Sequence, residues 1–468
     1  MEKTVKANKM ETMPIFKLLV TMALPMIISM FVQSLYNLVD SIFVGQFSKD
    51  ALTAVGLAFP MQNLIIAFAV GIGVGINATL SKTLGEKNQE KASEVAKNGL
   101  LIILIVAAIF AICGSFIIKP YMNALTSNQA VIDYGIEYLT IIMCCSIGCF
   151  LSITFERLLQ ATGKTFYVMI VQMSGAITNI ILDYVFIFVL GMGVKGAALA
   201  TITGQILAAV LGLIFNIFLN KEINLSPKGF KVKKAIIHEI LVIGVPSIVM
   251  NAITSVLTFL FNFILQGFKD VEVPGHPGQL YGDDPQTILG IYFKLNGIFF
   301  MPVFGLNNGL VPIVAYNYGA QRKEKVLKTI KYSAFIAFGM MAFGTLIFML
   351  IPEQLISLFA ESEEVAKQLS VSGTYCLRII SISFLMAGIN IVFSSTFQAL
   401  GNGFYSMMVS IVRQLLVLLP VAFLLSLTKN LNLVWFSYLI SEFVALLLSI
   451  VFYINIYKKK VKNLGGVN

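Results

Sequence analysis

Twelve long apolar segments set the strongest constraint on this chain. Each is close to, or longer than, the roughly 20 residues that a helix needs to cross a bilayer. Only a helix satisfies its own backbone polar groups in lipid, so the sequence predicts an all-α, polytopic membrane protein. The segments lie at about 15–44, 51–80, 99–118, 131–155, 166–190, 196–218, 237–267, 288–317, 331–351, 366–397, 405–427 and 433–457.

The composition also indicates lipid as the main solvent. Apolar residues make up 57% of the 468 residues and charged residues 12%, against about 25% charged in soluble domains. Two His and five Cys without a CxxC pair leave little material for a zinc site or a disulfide framework. We therefore expect no cofactor.

The distribution of basic residues predicts the orientation of the chain. With both termini in the cytoplasm, the cytoplasmic segments hold 24 of the 33 Lys and Arg residues and the external loops hold six. Lys and Arg near the ends of spans are retained on the cytoplasmic side. Topology therefore explains the net charge of +10, and no nucleic-acid partner is expected.

An internal duplication is visible in the sequence. Three glycines recur at an offset of 234, the segment 160–163 recurs at an offset of 238, and a proline recurs at an offset of 221. The matching sets are Gly71, Gly75 and Gly85 with Gly305, Gly309 and Gly319; Gln160–Gly163 with Gln398–Gly401; and Pro25 with Pro246.

The duplication predicts two lobes of six helices each. An even number of spans makes both halves enter the membrane from the same side, so a pseudo-twofold axis along the membrane normal should relate them. We place the N-lobe at residues 1–220, a cytoplasmic linker at 221–235 and the C-lobe at 236–468.

Two carboxylates lie at similar depth in the predicted N-lobe. Asp40 in the first span and Asp183 in the fifth both fall toward the external half, and Asn179 precedes Asp183 by one helical turn. Acidic groups inside a membrane are costly and usually functional. Protons and cations should compete for such a pair, although a buried hydrogen-bond network at a helix crossing is the structural alternative.

Pro25 lies in the same helix as Asp40. Because proline removes a backbone hydrogen bond, it permits a bend that ion binding could change, which would give Pro25 a gating role. A static kink is the alternative.

Four segments carry a resemblance to a known family. They are Ala23–Met26, Asn37–Gly45, Phe155–Gly163 and Met192–Ala197. In order and content they resemble the multidrug and toxic compound extrusion (MATE) family, in its DinF-like or MepA-like branch. The resemblance covers the chain from Pro14 to Lys460, and it implies a twelve-helix secondary antiporter that exports drugs in exchange for sodium ions or protons.

The resemblance also implies a set of ion-coupling residues. The family pattern of this branch joins an aspartate of the first span to an Asn-x-x-x-Asp pair of the fifth and a threonine of the sixth. The matching positions are Asp40, Asn179, Asp183 and Thr201, with the Ala197 carbonyl and Tyr138 as further members. Their oxygens suit sodium, so Asp40, Asn179, Asp183 and Thr201 form a candidate sodium site.

The predicted C-lobe carries different charges. Its seventh and tenth spans lack the acidic residues that other family members have, which puts ion coupling there in doubt. Instead Lys294, Arg378, Arg413 and Glu442 fall at possible membrane depth. Glu442 is expected to neutralise one of these bases. The alternative is that the remaining positive charge contacts substrate or anionic lipid.

Polar amides in spans usually avoid lipid and are therefore candidates for the substrate cavity. The cavity candidates are Gln33, Asn37, Gln62, Asn77, Gln172, Asn251, Asn296 and Asn307.

The Glu156-Arg157 pair lies near a cytoplasmic end of a span. It is interpreted as an interfacial ion pair.

The expected function is ion-coupled export of amphipathic, cationic small molecules by a monomer that contacts membrane lipids. The resemblance implies a bacterial cytoplasmic membrane. The alternative is a flippase for lipid-linked or amphiphilic anionic metabolites, which the basic C-lobe residues would favour. An enzyme is not expected, because the Asp283-Asp284 pair lies in an external loop without a second acidic motif or a nucleotide-binding loop.

Overall fold

The computed structural model describes residues 8–273, 278–359 and 362–465, and this part of the chain is almost entirely helical. Several helices begin at a side-chain cap; the Asn88 side chain, for example, accepts a hydrogen bond from the Lys91 amide. The first half contains α1 (Lys9–Thr12), α2 (Ile15–Phe47), α3 (Lys49–Gly85), α4 (Gln89–Leu125), α5 (Gln129–Cys144), α6 (Ile147–Ala161), α7 (Thr165–Tyr184) and α8 (Gly193–Phe218).

The second half follows a connecting segment, residues 219–233, that contains no helix. Its helices are α9 (Lys234–Gln266), α10 (Asp284–Gly319), α11 (Lys323–Leu350), α12 (Pro352–Ser357), α13 (Glu363–Ala399), α14 (Gly403–Ile411), α15 (Leu419–Ser426), α16 (Leu431–Val434) and α17 (Phe436–Ile456).

Within the described residues, eleven continuous helical segments are long and apolar enough to cross a membrane. The fourth predicted span differs from these, because it is divided into α5 and α6 with a bend of 45° between them. Counting this bent pair as one span gives twelve. The all-α, polytopic architecture predicted from the sequence is confirmed.

Among the described residues, three spans contain a π-helical segment; the one at Tyr457–Val461 ends the last span, and the other two lie near charged residues. One, Val185–Val189, continues α7 immediately beyond Asp183; the other, Val412–Leu418, joins α14 to α15 and contains Arg413. Such segments widen the helix locally and are frequent at functional sites.

The two lobes meet through α2 and α3 of the N-lobe and α9 and α10 of the C-lobe. The contact is symmetric at the recurring glycines. A side chain on Gly85 would collide with the Tyr316 carbonyl, and one on Gly319 would collide with the Lys82 carbonyl. These helix backbones can approach so closely only because both positions lack a Cβ.

The duplication extends to helix boundaries. Adding 238 to the bounds of α8 gives residues 431–456, the range that α16 and α17 occupy together. Adding 234 to the bounds of α3 gives 283–319, within one residue of α10. The two lobes are therefore two copies of one helical plan, which supports residue-by-residue comparison between them.

The end of the molecule that carries α1 and the end of α17 is called here the terminal face. At this face α1 bridges the two lobes. The Asn8 amide donates to both oxygens of Glu222, at 2.9 and 2.8 Å, and Arg322 at the start of α11 donates to the Glu11 carboxylate. Met10 between them is fully buried. The lobes are thus tied together at the terminal face.

Local charges shift the protonation of this bridge. The hydrogen bond from Arg322 lowers the pKa of Glu11, so Glu11 stays ionised. Burial, with the nearby charge of Lys164, lowers the pKa of Lys9 to about 8.

Candidate ion site and the charges of the two lobes

Three packed helices of the N-lobe bring the predicted ion-coupling residues together. Asp40 lies on α2, Asn179 and Asp183 lie one turn apart on α7, and Thr201 lies on α8. α7 packs against both α2 and α8 over much of its length. The sequence-distant residues therefore converge because the helices that carry them are neighbours.

The oxygens of this site are buried without donors. Asp183 is 0% exposed, and neither of its carboxylate oxygens has a hydrogen-bond partner among the described residues. The same holds for Oδ1 of Asp40 and Oδ1 of Asn179. The Asn179 Nδ2 donates to the Thr201 hydroxyl at 3.4 Å. A buried carboxylate without donors is costly, and a bound proton or cation removes that cost.

The electrostatic surroundings are acidic. Asp40 and Asp183 lie within electrostatic range of each other, and neither forms an ion pair with a described Lys or Arg. The phenols of Tyr36 and Tyr138 lie near both carboxylates, and Tyr138 donates to Gln62 Oε1 at 3.5 Å. Carboxylate, amide and hydroxyl oxygens are ligands for a hard cation.

Two further predicted members have clear positions. Ala197 is fully buried on α8, one turn before Thr201. Pro25 lies inside α2, fifteen residues before Asp40, and the helix continues through it. Pro25 and Asp40 therefore belong to one unbroken element, as a gating role requires.

Comparison with known proteins decides the family. The model of the MatE family matches residues 25–185 and 246–424, which together are most of the chain and include both copies of the duplication. The chain belongs to the MatE family. This confirms the resemblance found in the sequence.

Relatives of this MatE protein match it over nearly their whole length. The multidrug export protein MepA of Staphylococcus haemolyticus is 27% identical over 440 residues, which cover 94% of this chain and 93% of the relative. A MATE transporter solved in complex with MaL6 has a TM-score of 0.89 at 25% identity and covers 97% of this chain and 99% of its own. A MOP-superfamily transporter of Pyrococcus furiosus, titled for the reverse polarity of its binding pocket, has a TM-score of 0.90 at 25% identity, with 98% and 100% coverage.

In the C-lobe of this MatE protein, Glu442 is a satisfied carboxylate. Arg413 donates to its Oε1 at 2.8 Å, and Asn390 donates to its Oε2 at 2.7 Å. The other two bases stand apart from this group. Lys294 lies 5.6 Å from the centre of the Phe359 ring, and Arg378 donates to the Met349 carbonyl at 3.3 Å.

The predicted cavity amides fall into two groups. Gln33, Asn37 and Asn251 are exposed, and Asn251 donates to the Ser247 carbonyl. The others are partly or fully buried. Asn77 accepts from Ser81, Asn296 donates to the Tyr292 hydroxyl, Gln62 accepts from Tyr138, and Gln172 donates to Glu156. Both polar atoms of Asn307 are buried and have no partner in the part of the chain that the structure describes.

The interpretation of Glu156 and Arg157 as an ion pair is wrong. Arg157 donates to Gln160 Oε1 of its own helix at 2.8 Å and, across the lobe contact, to Asn308 Oδ1 at 2.9 Å. Glu156 accepts from Gln172 Nε2 at 2.8 Å. Adjacent residues on a helix point in different directions, so Glu156 turns into the N-lobe while Arg157 turns toward the C-lobe.

Sequence reasoning also missed Tyr36. It precedes Asp40 by one helical turn, and this spacing places both side chains on the same face of α2. The helical spacing was the signal that could have identified it.

Proposed function

We propose that this MatE protein exports amphipathic, cationic organic compounds in exchange for sodium ions or protons, and that Asp40 and Asp183 bind the coupling ion. The observation that carries the proposal is the group of buried, donor-free oxygens on Asp40, Asn179 and Asp183. A site of this kind is stable when a cation or proton occupies it.

Exchange follows because the coupling ion and the organic cation compete for the negative charge of the N-lobe. A bound ion neutralises the carboxylates, and its departure restores negative charge that attracts an organic cation. The two states then differ in the charge next to α2, which Pro25 allows to bend. Ion binding thereby biases the shape of the N-lobe, as coupling between two ligands requires.

The proposed orientation places the terminal face in the cytoplasm, as the distribution of Lys and Arg favours. The bridge through Glu11 and Arg322, together with the close glycine contacts, holds the lobes together on that side. We propose a monomer that works in a bacterial cytoplasmic membrane, takes small amphipathic substrates, contacts lipids, needs no cofactor and has no enzymatic activity. The flippase alternative rests on the basic C-lobe residues; Glu442 neutralises one of them, Arg413, and leaves Lys294 and Arg378.

The test is efflux of a fluorescent organic cation from proteoliposomes. A sodium gradient and a proton gradient are imposed separately, each without the other. We expect one of them to drive export in the wild-type protein and neither to drive it in Asp40→Asn or Asp183→Asn. Full gradient-driven export in both variants would overturn the proposal.

A further inference from the structure

Glu156 is a third acidic residue inside the N-lobe. It lies on α6, five residues before the helix ends at the terminal face, which places it about 7 to 8 Å inside that end. It is 8% exposed. An acidic residue at this depth is a functional candidate by default.

The hydrogen bonds around Glu156 leave two acceptor atoms free. Gln172 Nε2 donates to Oε2 of Glu156, and no described residue donates to Oε1. Because the amide nitrogen of Gln172 faces the carboxylate, its carbonyl oxygen Oε1 is left buried without a partner. One carboxylate oxygen of Glu156 and the side-chain oxygen of the Gln172 bonded to it thus both lack a donor among the described residues.

Arg157, the neighbouring base, lies within electrostatic range of Glu156, but no described Lys or Arg forms an ion pair with it. The guanidinium of Arg157 is held by Gln160 and by Asn308 of the C-lobe. Gln160 also donates to the Asn308 backbone carbonyl. The bonds from Arg157 and Gln160 to Asn308 join the lobes at the level of Glu156.

The C-lobe copy carries no charge at this level. The positions that match Glu156, Arg157 and Gln172 at the offset of 238 are Ser394, Ser395 and Ser410. The packing of the shared helical plan therefore does not require a carboxylate here. The acidic residue is specific to the lobe that also holds Asp40 and Asp183.

We infer that Glu156 and Gln172 bind the cationic group of the transported substrate. This inference rests on the proposed function and adds to it the residues that hold the cationic group of the substrate. A protonated primary or secondary amine has at least two N–H donors, so one ammonium group can donate to Glu156 Oε1 and Gln172 Oε1 together. A fully alkylated cation is attracted to the carboxylate but has no N–H for Gln172.

The position suits loading from the terminal face. When the lobes separate there, Asn308 leaves Arg157 and the level of Glu156 opens. When the lobes close, the same contacts seal the bound cation from that side. Tyr36 lies near Asp40, Asp183 and Cys149, and Cys149 lies two turns before Glu156 on α6. The amine site and the ion site therefore share one lobe interior.

The experiment measures binding of two fluorescent cations to the purified, full-length protein. Doxorubicin carries a primary ammonium, and tetramethylrosamine is a permanent cation without any N–H. We expect Glu156→Gln to weaken binding of both about tenfold or more, since a charge-assisted contact is lost. Gln172→Leu should weaken doxorubicin binding several-fold and leave tetramethylrosamine binding within about twofold of wild type. Ser394→Ala, the matched C-lobe variant, should change neither.

Wild-type doxorubicin affinity in folded Glu156→Gln, or an equal effect of Gln172→Leu on both dyes, would overturn the inference. If Glu156→Gln does not fold, Glu156→Asp replaces it; this variant keeps the charge and should bind both dyes more tightly than any neutral variant at position 156.

The Asp183→Asn protein separates the two proposals. It keeps Glu156 and Gln172, so it should still bind doxorubicin, more weakly than wild type because one attracting carboxylate is gone, and it should lose gradient-driven export. Export that persists there contradicts the ion site and leaves the Glu156 site standing.

Discussion

The ion site of the N-lobe and its equivalent in the C-lobe are built on the same helices and differ completely in chemistry. Where the N-lobe has donor-free oxygens, the C-lobe has apolar side chains. Phe261 and Trp435 stack there with ring centroids 6.2 Å apart, and both are fully buried. The corresponding pairs are Asp40 and Phe261, Asn179 and Val417, Asp183 and Val421, Ala197 and Trp435, and Thr201 and Leu439.

The C-lobe also carries charged residues at positions where the N-lobe has none. Arg413 and Glu442 match Gly175 and Gly204 of the N-lobe. Those two glycines lie at a close helix crossing, where a Cβ on Gly175 would lie 3.2 Å from the Gly204 carbonyl. The C-lobe fills this crossing with a hydrogen-bonded ion pair. The N-lobe thus has carboxylates without an ion-pair partner among the described residues. The C-lobe has an ion-paired carboxylate at Glu442 and apolar side chains at the positions that match Asp40 and Asp183.

The largest expected effect comes from giving the N-lobe the residue of its C-lobe equivalent. Asp183→Val should reduce gradient-driven export to the background leak, because the buried charge that the ion balances is gone. Val421→Asn, a polar change at the matched C-lobe position, should keep export responsive to the gradient. Dye efflux from everted membrane vesicles measures both. Gradient-driven export in Asp183→Val would show that coupling does not need this N-lobe carboxylate, which contradicts the difference drawn between the lobes.

The next effect concerns the ion pair of the C-lobe. Arg413→Gln leaves the Glu442 carboxylate buried without its base, at an expected cost of about 3–5 kcal/mol. Thermal unfolding in detergent measures this cost, and Arg378→Gln, which changes an exposed side chain, is the control. The stable double variant Arg413→Met/Glu442→Leu should still couple export to the gradient. Loss of coupling in that variant would show that the C-lobe takes part in ion exchange.

The symmetric glycine contact should respond equally from both sides. Gly85→Ala and Gly319→Ala each force a Cβ against a backbone carbonyl of the other lobe, at an expected cost of about 1–3 kcal/mol to the closed terminal face. Labelling of a cysteine introduced at the terminal face should rise in both variants. Gly339→Ala, at a position with open space around it, is the control. An effect in only one variant would contradict the symmetric lobe contact.

The smallest effect is the pH dependence of the α1 bridge. Arg322 lowers the pKa of Glu11, so this bond stabilises the fold above about pH 4.3, the ordinary value of Glu, and the contribution is lost as the pH falls through the lowered pKa. Glu11→Gln should lower the free energy of unfolding by about 0.5–1 kcal/mol at pH 7. It should not change that free energy once the pH lies below the lowered pKa of Glu11. Melting curves of both proteins across this range test it. A difference that grows on acidification would have the wrong sign.

Much of the architecture could be predicted because lipid imposes simple rules. Long apolar runs, recurring glycines and the offset of Pro246 from Pro25 were sufficient for the helix count and the duplication. Asp40 and Asp183 could be placed at similar depth by counting helix rises. The bend between α5 and α6 was not predicted, because the apolar run continues through Cys145 and Ser146 without a break.

Side-chain direction was the part that the sequence could not supply. Glu156 and Arg157 are neighbours of opposite charge, which favours pairing by proximity alone. Their actual partners, Gln172 and Asn308, lie on other helices, and the contact with Asn308 depends on how the two lobes meet. Partners that tertiary packing selects in this way have no signal in local spacing.

The most direct test of the account counts the ions released when substrate binds. Purified protein in a weakly buffered, low-sodium solution is mixed with doxorubicin, and a pH indicator and a sodium-selective electrode record protons and sodium ions released. We expect release of protons or sodium from the wild-type protein and none from Asp40→Asn/Asp183→Asn. Equal release from the double variant would contradict the claim that these two carboxylates hold the exchanged ion.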